Sequence, residues 1–168
     1  MPHADVEGYR VFFEEHGSGE PVLLVSGLGA DHTAWALQTE HLRGSFRVIV
    51  FDNPGVGQTE GPTGPYTTAL FADVAAGLLG HLGIERAHVV GASMGGMIVQ
   101  QVAVRHPSVV RSLVVHCPWW EADPYTSALI RSWQAIGRAA GMLELSRQIW
   151  LWVFTPRFYA AHPETFAE

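Results

Sequence analysis

The stretch that decides the fold is Gly91-Ala92-Ser93-Met94-Gly95. It follows a short apolar segment, Ala87–Val90, that is typical of a strand, and it opens Met94–Arg105, whose pattern predicts a helix ended by His106-Pro107. A G-x-S-x-G sequence in such a turn pushes the serine side chain out at the carboxyl end of the sheet. The free N–H groups at the start of the helix favour negative charge there. Ser93 is therefore predicted to be a nucleophile.

A serine nucleophile needs hydrogen-bond donors for the oxyanion of a tetrahedral intermediate. Two backbone amides are placed to supply them. One is that of Met94, directly after the serine, and the other is that of Leu28 in Ser26-Gly27-Leu28-Gly29. The glycines allow this loop to approach a ligand closely, although they also suit a plain turn. Both segments follow strands of a predicted parallel sheet, at the edge where open α/β sheets bind ligands.

Outward from the motif, strands and helices alternate. Strands are predicted at Tyr9–Glu15, Pro21–Val25, Phe46–Phe51, Ala87–Val90 and Arg111–His116, and helices at Asp31–Leu42, Thr68–Leu82 and Met94–Arg105. The alternation predicts an α/β fold over residues 1–118, with a mostly parallel sheet and helices on both faces.

The character of the chain changes after Pro118, where no further strand pattern occurs. The segment Thr126–Phe154 is helical in pattern, and five of the six tryptophans fall in residues 119–168. We expect these residues to form a separate helical segment. It is either ordinary core or a lid over an apolar pocket.

Composition excludes several classes of function. The chain has 168 residues, 48% of them apolar and 15% charged, which suits a folded domain and not a disordered chain. The net charge is −6, with single scattered arginines and no lysine, so we expect no nucleic-acid partner and no lysine Schiff base. No apolar run approaches the roughly 20 residues of a membrane span, and the start lacks a secretory signal. A cytoplasmic location is the expectation.

Other polar residues have weaker predicted roles. No histidine pair has zinc-motif spacing, so we expect neither a metal nor a cofactor. His32, His116 and Trp119 are candidates for the lining of a pocket, with a structural role as the alternative for the two histidines. Asp52, at the end of its strand, is either a catalytic acid from a different part of the sheet or a residue that ties down its loop by accepting backbone hydrogen bonds. Cys117 is expected to be a buried, inert thiol.

Three motifs in this order resemble the α/β-hydrolase superfamily, in particular its esterases, lactonases and C–C hydrolases similar to 3-oxoadipate enol-lactonases. They are Ser26-Gly27-Leu28-Gly29 with Trp35, residues 51–59 (FDNPGVGQT) and residues 91–97 (GASMGGM). The resemblance covers about residues 8–118, and residues 119–168 look like the start of the family's helical cap. It implies Ser93 as nucleophile, with oxyanion amides from Leu28 and Met94. The chain departs from the family at Ser26, usually histidine, and at Pro54, usually arginine.

The resemblance implies a serine hydrolase acting on a small apolar ester or lactone. The family's triad places an acid and then a histidine on loops after later strands, which are absent here, so we expect both beyond Glu168. Within the chain, Asp123 and His162 are the alternative. A non-hydrolytic enzyme on the same fold (a perhydrolase, cyclase or C–C lyase) and an incomplete, inactive half are the alternative functions. A homo-oligomer, or an exchange of strands or helices, would cover the open edge at Arg111–His116.

Overall fold

The computed structural model describes residues 2–119 and 121–163. The chain divides into two compact units, Met1–Trp120 and Glu121–Glu168. The strands are β1 (His3–Val6), β2 (Tyr9–His16), β3 (Glu20–Val25), β4 (Phe46–Phe51), β5 (Ala87–Ala92) and β6 (Val110–His116). The helices are α1 (Ala36–Leu42), α2 (Thr68–His81), α3 (Met94–Arg105), α4 (Pro124–Val153) and α5 (Pro156–Ala161). Short 3₁₀ turns occupy His32–Trp35 and Pro107–Val109.

The first unit is built on one six-stranded sheet in the order β1-β2-β4-β3-β5-β6. Strands β4, β3, β5 and β6 are parallel to one another, whereas β1 and β2 form an antiparallel hairpin that pairs with β4. The prediction of a mostly parallel sheet is confirmed. Strand β1 was not predicted, because it has only four residues and two of them are polar.

Helices cover both faces of the sheet. Successive side chains of a strand point to opposite faces, and here both faces carry apolar side chains that need cover. Toward α2 and α3 lie Leu23, Val25, Ile49, Phe51 and Val89. The opposite face presents Val22, Leu24, Val48 and Val50, packed by Trp35, Leu42 and Phe46. Strands that are apolar on both faces need this double cover, which explains why the last four residues of β3 and of β4 are all apolar.

An ion-pair cluster joins α2 to the end of α3. Arg105 donates to both carboxylate oxygens of Asp73, over 3.0 and 2.6 Å, and His106 Nε2 lies 2.7 Å from Asp73 Oδ1. The hydrogen bond from Arg105 lowers the pKa of the Asp73 carboxyl. The cluster fixes the carboxyl end of the helix whose first residue follows Ser93.

Strand β6 lies at the edge of the sheet, and among the described residues its only strand partner is β5. Two of its apolar side chains, Leu113 and Val114, are 39% and 51% exposed. The expectation that Cys117 is buried was wrong, since this residue follows β6 and is exposed. An apolar strand buries the residue after it only where a further strand or helix covers that strand.

The second unit is helical in its described part. Helix α4 begins after Asp123, whose carboxylate accepts the Thr126 N–H over 2.6 Å as an N-cap. The prediction that Thr126–Phe154 is helical throughout was wrong at Gly141, which interrupts the helix with φ 87° and ψ 175°, a conformation that glycine adopts readily. No helix in the described ranges is long and apolar enough to cross a membrane.

Candidate functional site

Ser93 lies in the turn between β5 and α3 with an unusual backbone conformation. Its φ is 55° and its ψ is −123°, outside the regions that residues with a side chain normally occupy. The Ser93 N–H donates to the His116 carbonyl oxygen over 2.9 Å, which ties the turn to the end of β6. The Ser93 hydroxyl has no hydrogen-bond partner within the part of the chain that the structure describes. Such strain persists only where the surrounding structure imposes it.

The two glycines of the motif impose it, because both stand where no side chain fits. A Cβ added to Gly91 would overlap the Gly95 carbonyl group. A Cβ added to Gly95 would overlap the Val25 carbonyl oxygen and would lie 2.8 Å from that of Ser26. The first turn of α3 therefore packs backbone to backbone against β5 and against the end of β3.

The predicted oxyanion loop lies directly against Ser93. A Cβ added to Gly27 would be 3.2 Å from Ser93 Cβ and 3.7 Å from Ser93 Oγ. No acceptor within residues 2–119 or 121–163 is bonded to the Leu28 amide or to the Met94 amide. The structure thus brings together the predicted nucleophile and the two segments that carry the predicted oxyanion donors.

Two side chains that follow β4 hold this loop in place by hydrogen bonds. The fully buried Asn53 donates its Nδ2 to the Ser26 carbonyl over 3.3 Å. Asp52, also fully buried, accepts the backbone N–H groups of His32 and Gln58 over 2.7 and 2.8 Å. The predicted loop-tying role of Asp52 is therefore confirmed. No role was predicted for Asn53, although a polar residue two positions after a buried strand is a signal that could have pointed to it.

The predicted pocket residues occupy three different places. His32 lines a cleft of about 320 Å³ together with residues of β2 and α1, and the lining of that cleft does not include Ser93. His116 is exposed at the end of β6 and contributes its carbonyl oxygen to Ser93. Trp119 is half-buried, and its carbonyl oxygen lies 3.5 Å from Gln100 Nε2. Their role as pocket lining stays a prediction.

The candidate acid and base within the chain belong to the second unit. The Asp123 carboxylate is engaged as the N-cap of α4, and its hydrogen bond from the Thr126 N–H lowers the pKa of Asp123. His162 follows α5, with its ring centroid 4.5 Å from that of Phe158.

Between residues 2 and 163, Trp120 aside, no cluster of three or more histidine, cysteine or acidic side chains could hold a metal ion.

Known proteins resemble this chain in sequence and in structure. Residues 20–151 match the alpha/beta hydrolase fold family. RutD of Azorhizobium caulinodans, named as a carbamate hydrolase, is 32% identical over 160 residues, which are 95% of this chain and 60% of that protein. The enol-lactonase of Burkholderia xenovorans superposes with a TM-score of 0.88 at 28% identity, over 99% of this chain and 65% of its own. A thermophilic esterase from Thermogutta terrifontis gives a TM-score of 0.87 at 28% identity, over 99% and 64%.

The chain thus spans roughly three fifths to two thirds of the length of these relatives. The match extends over most of its own length and includes the strand-to-helix turn that carries Ser93. The chain belongs to the alpha/beta hydrolase fold family.

Proposed function

We propose that this chain is the nucleophile-bearing part of a serine hydrolase that acts on a small apolar ester or lactone. The observation that carries the proposal is the strained backbone of Ser93, with the Gly27 loop against its side chain. The names of the relatives agree in class, since carbamates, enol-lactones and esters all present an acyl carbon to a nucleophile.

In the proposed reaction the Ser93 hydroxyl gives its proton to a histidine as Oγ attacks the carbonyl carbon, and the electron pair of the C=O bond moves to the carbonyl oxygen. The Leu28 and Met94 amides stabilise this oxyanion, each contributing about 3 kcal/mol. The oxyanion collapses, the alkoxide leaves and takes up a proton, and water then hydrolyses the acyl-serine. We propose that the histidine that carries the proton, and its acid, lie on polypeptide outside these 168 residues. Neither a cofactor nor a nucleic acid enters the scheme, which we place in the cytoplasm.

A fluorophosphonate tests the nucleophile directly. We expect the reagent to form an adduct on the peptide that contains Ser93, detected by mass spectrometry, and Ser93→Ala to abolish it. Labelling is expected to be slow in this chain alone and faster by about 10³-fold once an acid and a histidine are supplied, because the base activates the hydroxyl. Ser132→Ala, which removes an exposed serine of α4, is the matched control and should label like the native chain. An unlabelled Ser93 would contradict an active serine in this chain.

The open edge of β6 favours a second candidate, an incomplete half that works only when another chain covers it. Exposed strand edges offer unpaired N–H and C=O groups to other strands, and apolar side chains beside them add to the attraction. We propose that a second copy of this chain pairs along β6. In this candidate the two copies pair without the acid and the histidine that the first proposal places outside these residues.

We expect the native chain to be dimeric by size-exclusion chromatography with light scattering, and Val114→Lys to shift it toward monomer. A charge on the edge strand opposes pairing. The control is Val104→Lys, at a side chain that is 77% exposed and belongs to helix α3, not to the edge strand. A native chain that stays monomeric across about a hundredfold range of concentration would exclude the pairing, because association follows mass action.

A further inference from the structure

His32, the first residue after the oxyanion loop, is bonded twice to one buried carboxylate oxygen. Its backbone N–H lies 2.7 Å from Asp52 Oδ1, and its Nδ1 lies 2.8 Å from the same atom. Because a carboxylate only accepts, Nδ1 carries the proton and donates it. A buried carboxylate is stable only when it receives such donors. The imidazole therefore supplies a bond that the backbone alone does not.

Two side chains of β2, Phe12 and Glu14, lie near the rest of the ring. His32 Nε2 lies 3.8 Å from Glu14 Oε1 on β2, and the other oxygen of Glu14 lies 3.0 Å from His16 Nε2. The Phe12 ring centroid lies 4.8 Å from that of His32, whose side chain is only 13% exposed. Strand β2, the end of β4 and the start of the 3₁₀ turn thus meet at one imidazole.

Residues 26–31 run between two fixed points. At the first, the Ser26 carbonyl oxygen accepts a hydrogen bond from Asn53, and the Ser26 hydroxyl donates to the Asp31 carbonyl over 3.0 Å. At the second, His32 is bonded to Asp52. Leu28 lies between these points, and no hydrogen bond to another described residue holds its own amide. The position of the Leu28 amide therefore depends on the ends of the loop.

We propose that His32 is a positioning residue, whose imidazole fixes the oxyanion loop to Asp52 and so keeps the Leu28 amide in place in the loop that lies against Ser93. This inference rests on the proposed function in one respect only, namely that the Leu28 amide is an oxyanion donor. The anchoring of the loop is a property of the fold and can be measured without turnover.

Two substitutions separate the hydrogen bond from the bulk of the side chain. In His32→Asn the side-chain amide nitrogen takes the place of Nδ1 and donates to Asp52. In His32→Leu the side chain still fills space but has no donor. His41→Leu removes an exposed histidine of α1 and serves as the matched control.

Hydrogen exchange measured by mass spectrometry is the primary readout. His32→Leu is expected to speed exchange of residues 27–31 by about tenfold and to slow fluorophosphonate labelling of Ser93 by a similar factor, the effect of one hydrogen bond to a charged group. Exchange in β5 should not change. His32→Asn and His41→Leu should both stay within about twofold of the native chain.

Three results would overturn the proposal: unchanged loop exchange in His32→Leu, equal losses in His32→Asn and His32→Leu, or faster exchange in β5 as well as in the loop. The last would show that His32 contributes only to global stability. If the native chain is not labelled at all, the proposed function fails, and the exchange measurements still decide whether His32 anchors the loop.

Discussion

Gly95→Ala is expected to destabilise the first unit by about 3 kcal/mol or more, a large part of the roughly 5–15 kcal/mol by which a typical domain is stable. The added methyl group would overlap the carbonyl oxygen of Val25 and crowd that of Ser26. These are backbone atoms of β3 and of the oxyanion loop, so the clash cannot be relieved by a change of rotamer. The helix must move away from the sheet or the strand must bend.

Urea denaturation followed by circular dichroism measures this loss as a lower transition midpoint. Gly80→Ala is the matched control, because Gly80 is an exposed residue of α2 with open space where its Cβ would be. There the same change should stabilise the chain by about 0.5–1 kcal/mol, since alanine favours helix over glycine. A Gly95→Ala midpoint at or above the native one would show that the packing of α3 on β3 is looser than described.

Sequence patterns predict elements whose signal lies within a short stretch of the chain. Local periodicity predicted Phe46–Phe51 and Met94–Arg105 with their observed bounds, because each element is long enough to repeat its pattern. It also predicted the turn at Ser93, since the glycines that permit the turn lie within two residues of it. The four-residue strand β1 lacks such a repeat and was missed.

Features that depend on distant parts of the chain were less predictable. Asp52 and His32 are 20 residues apart, and only the sheet brings the end of β4 under the loop that follows β3. Cys117 is exposed next to β6, the last strand of the described sheet, whereas the local pattern around it is that of a buried strand. The acid and the base are a harder case, because no described side chain is bonded to the Ser93 hydroxyl.

Ser93→Gly is expected to abolish fluorophosphonate labelling and at the same time to raise the melting temperature. A residue with a side chain at φ 55° and ψ −123° is strained by about 1–3 kcal/mol, and glycine relieves that strain. Glycine also makes the unfolded chain more flexible, which costs about 0.5–1 kcal/mol. The net gain is about 1 kcal/mol, or roughly 2–4 °C in a protein of this size.

Ser93→Ala is the decisive comparison, because it removes the same hydroxyl and keeps the Cβ that causes the strain. It should lose labelling equally and melt within about 1 °C of the native chain, since that hydroxyl has no bonded partner among the described residues. Glu7→Gly tests the backbone effect elsewhere: Glu7 has φ 50° in the turn between β1 and β2, so it should gain stability with labelling intact. If Ser93→Gly melts no higher than Ser93→Ala, the backbone of the turn is not strained. In that case the fold does not lose stability by holding its nucleophile in this conformation.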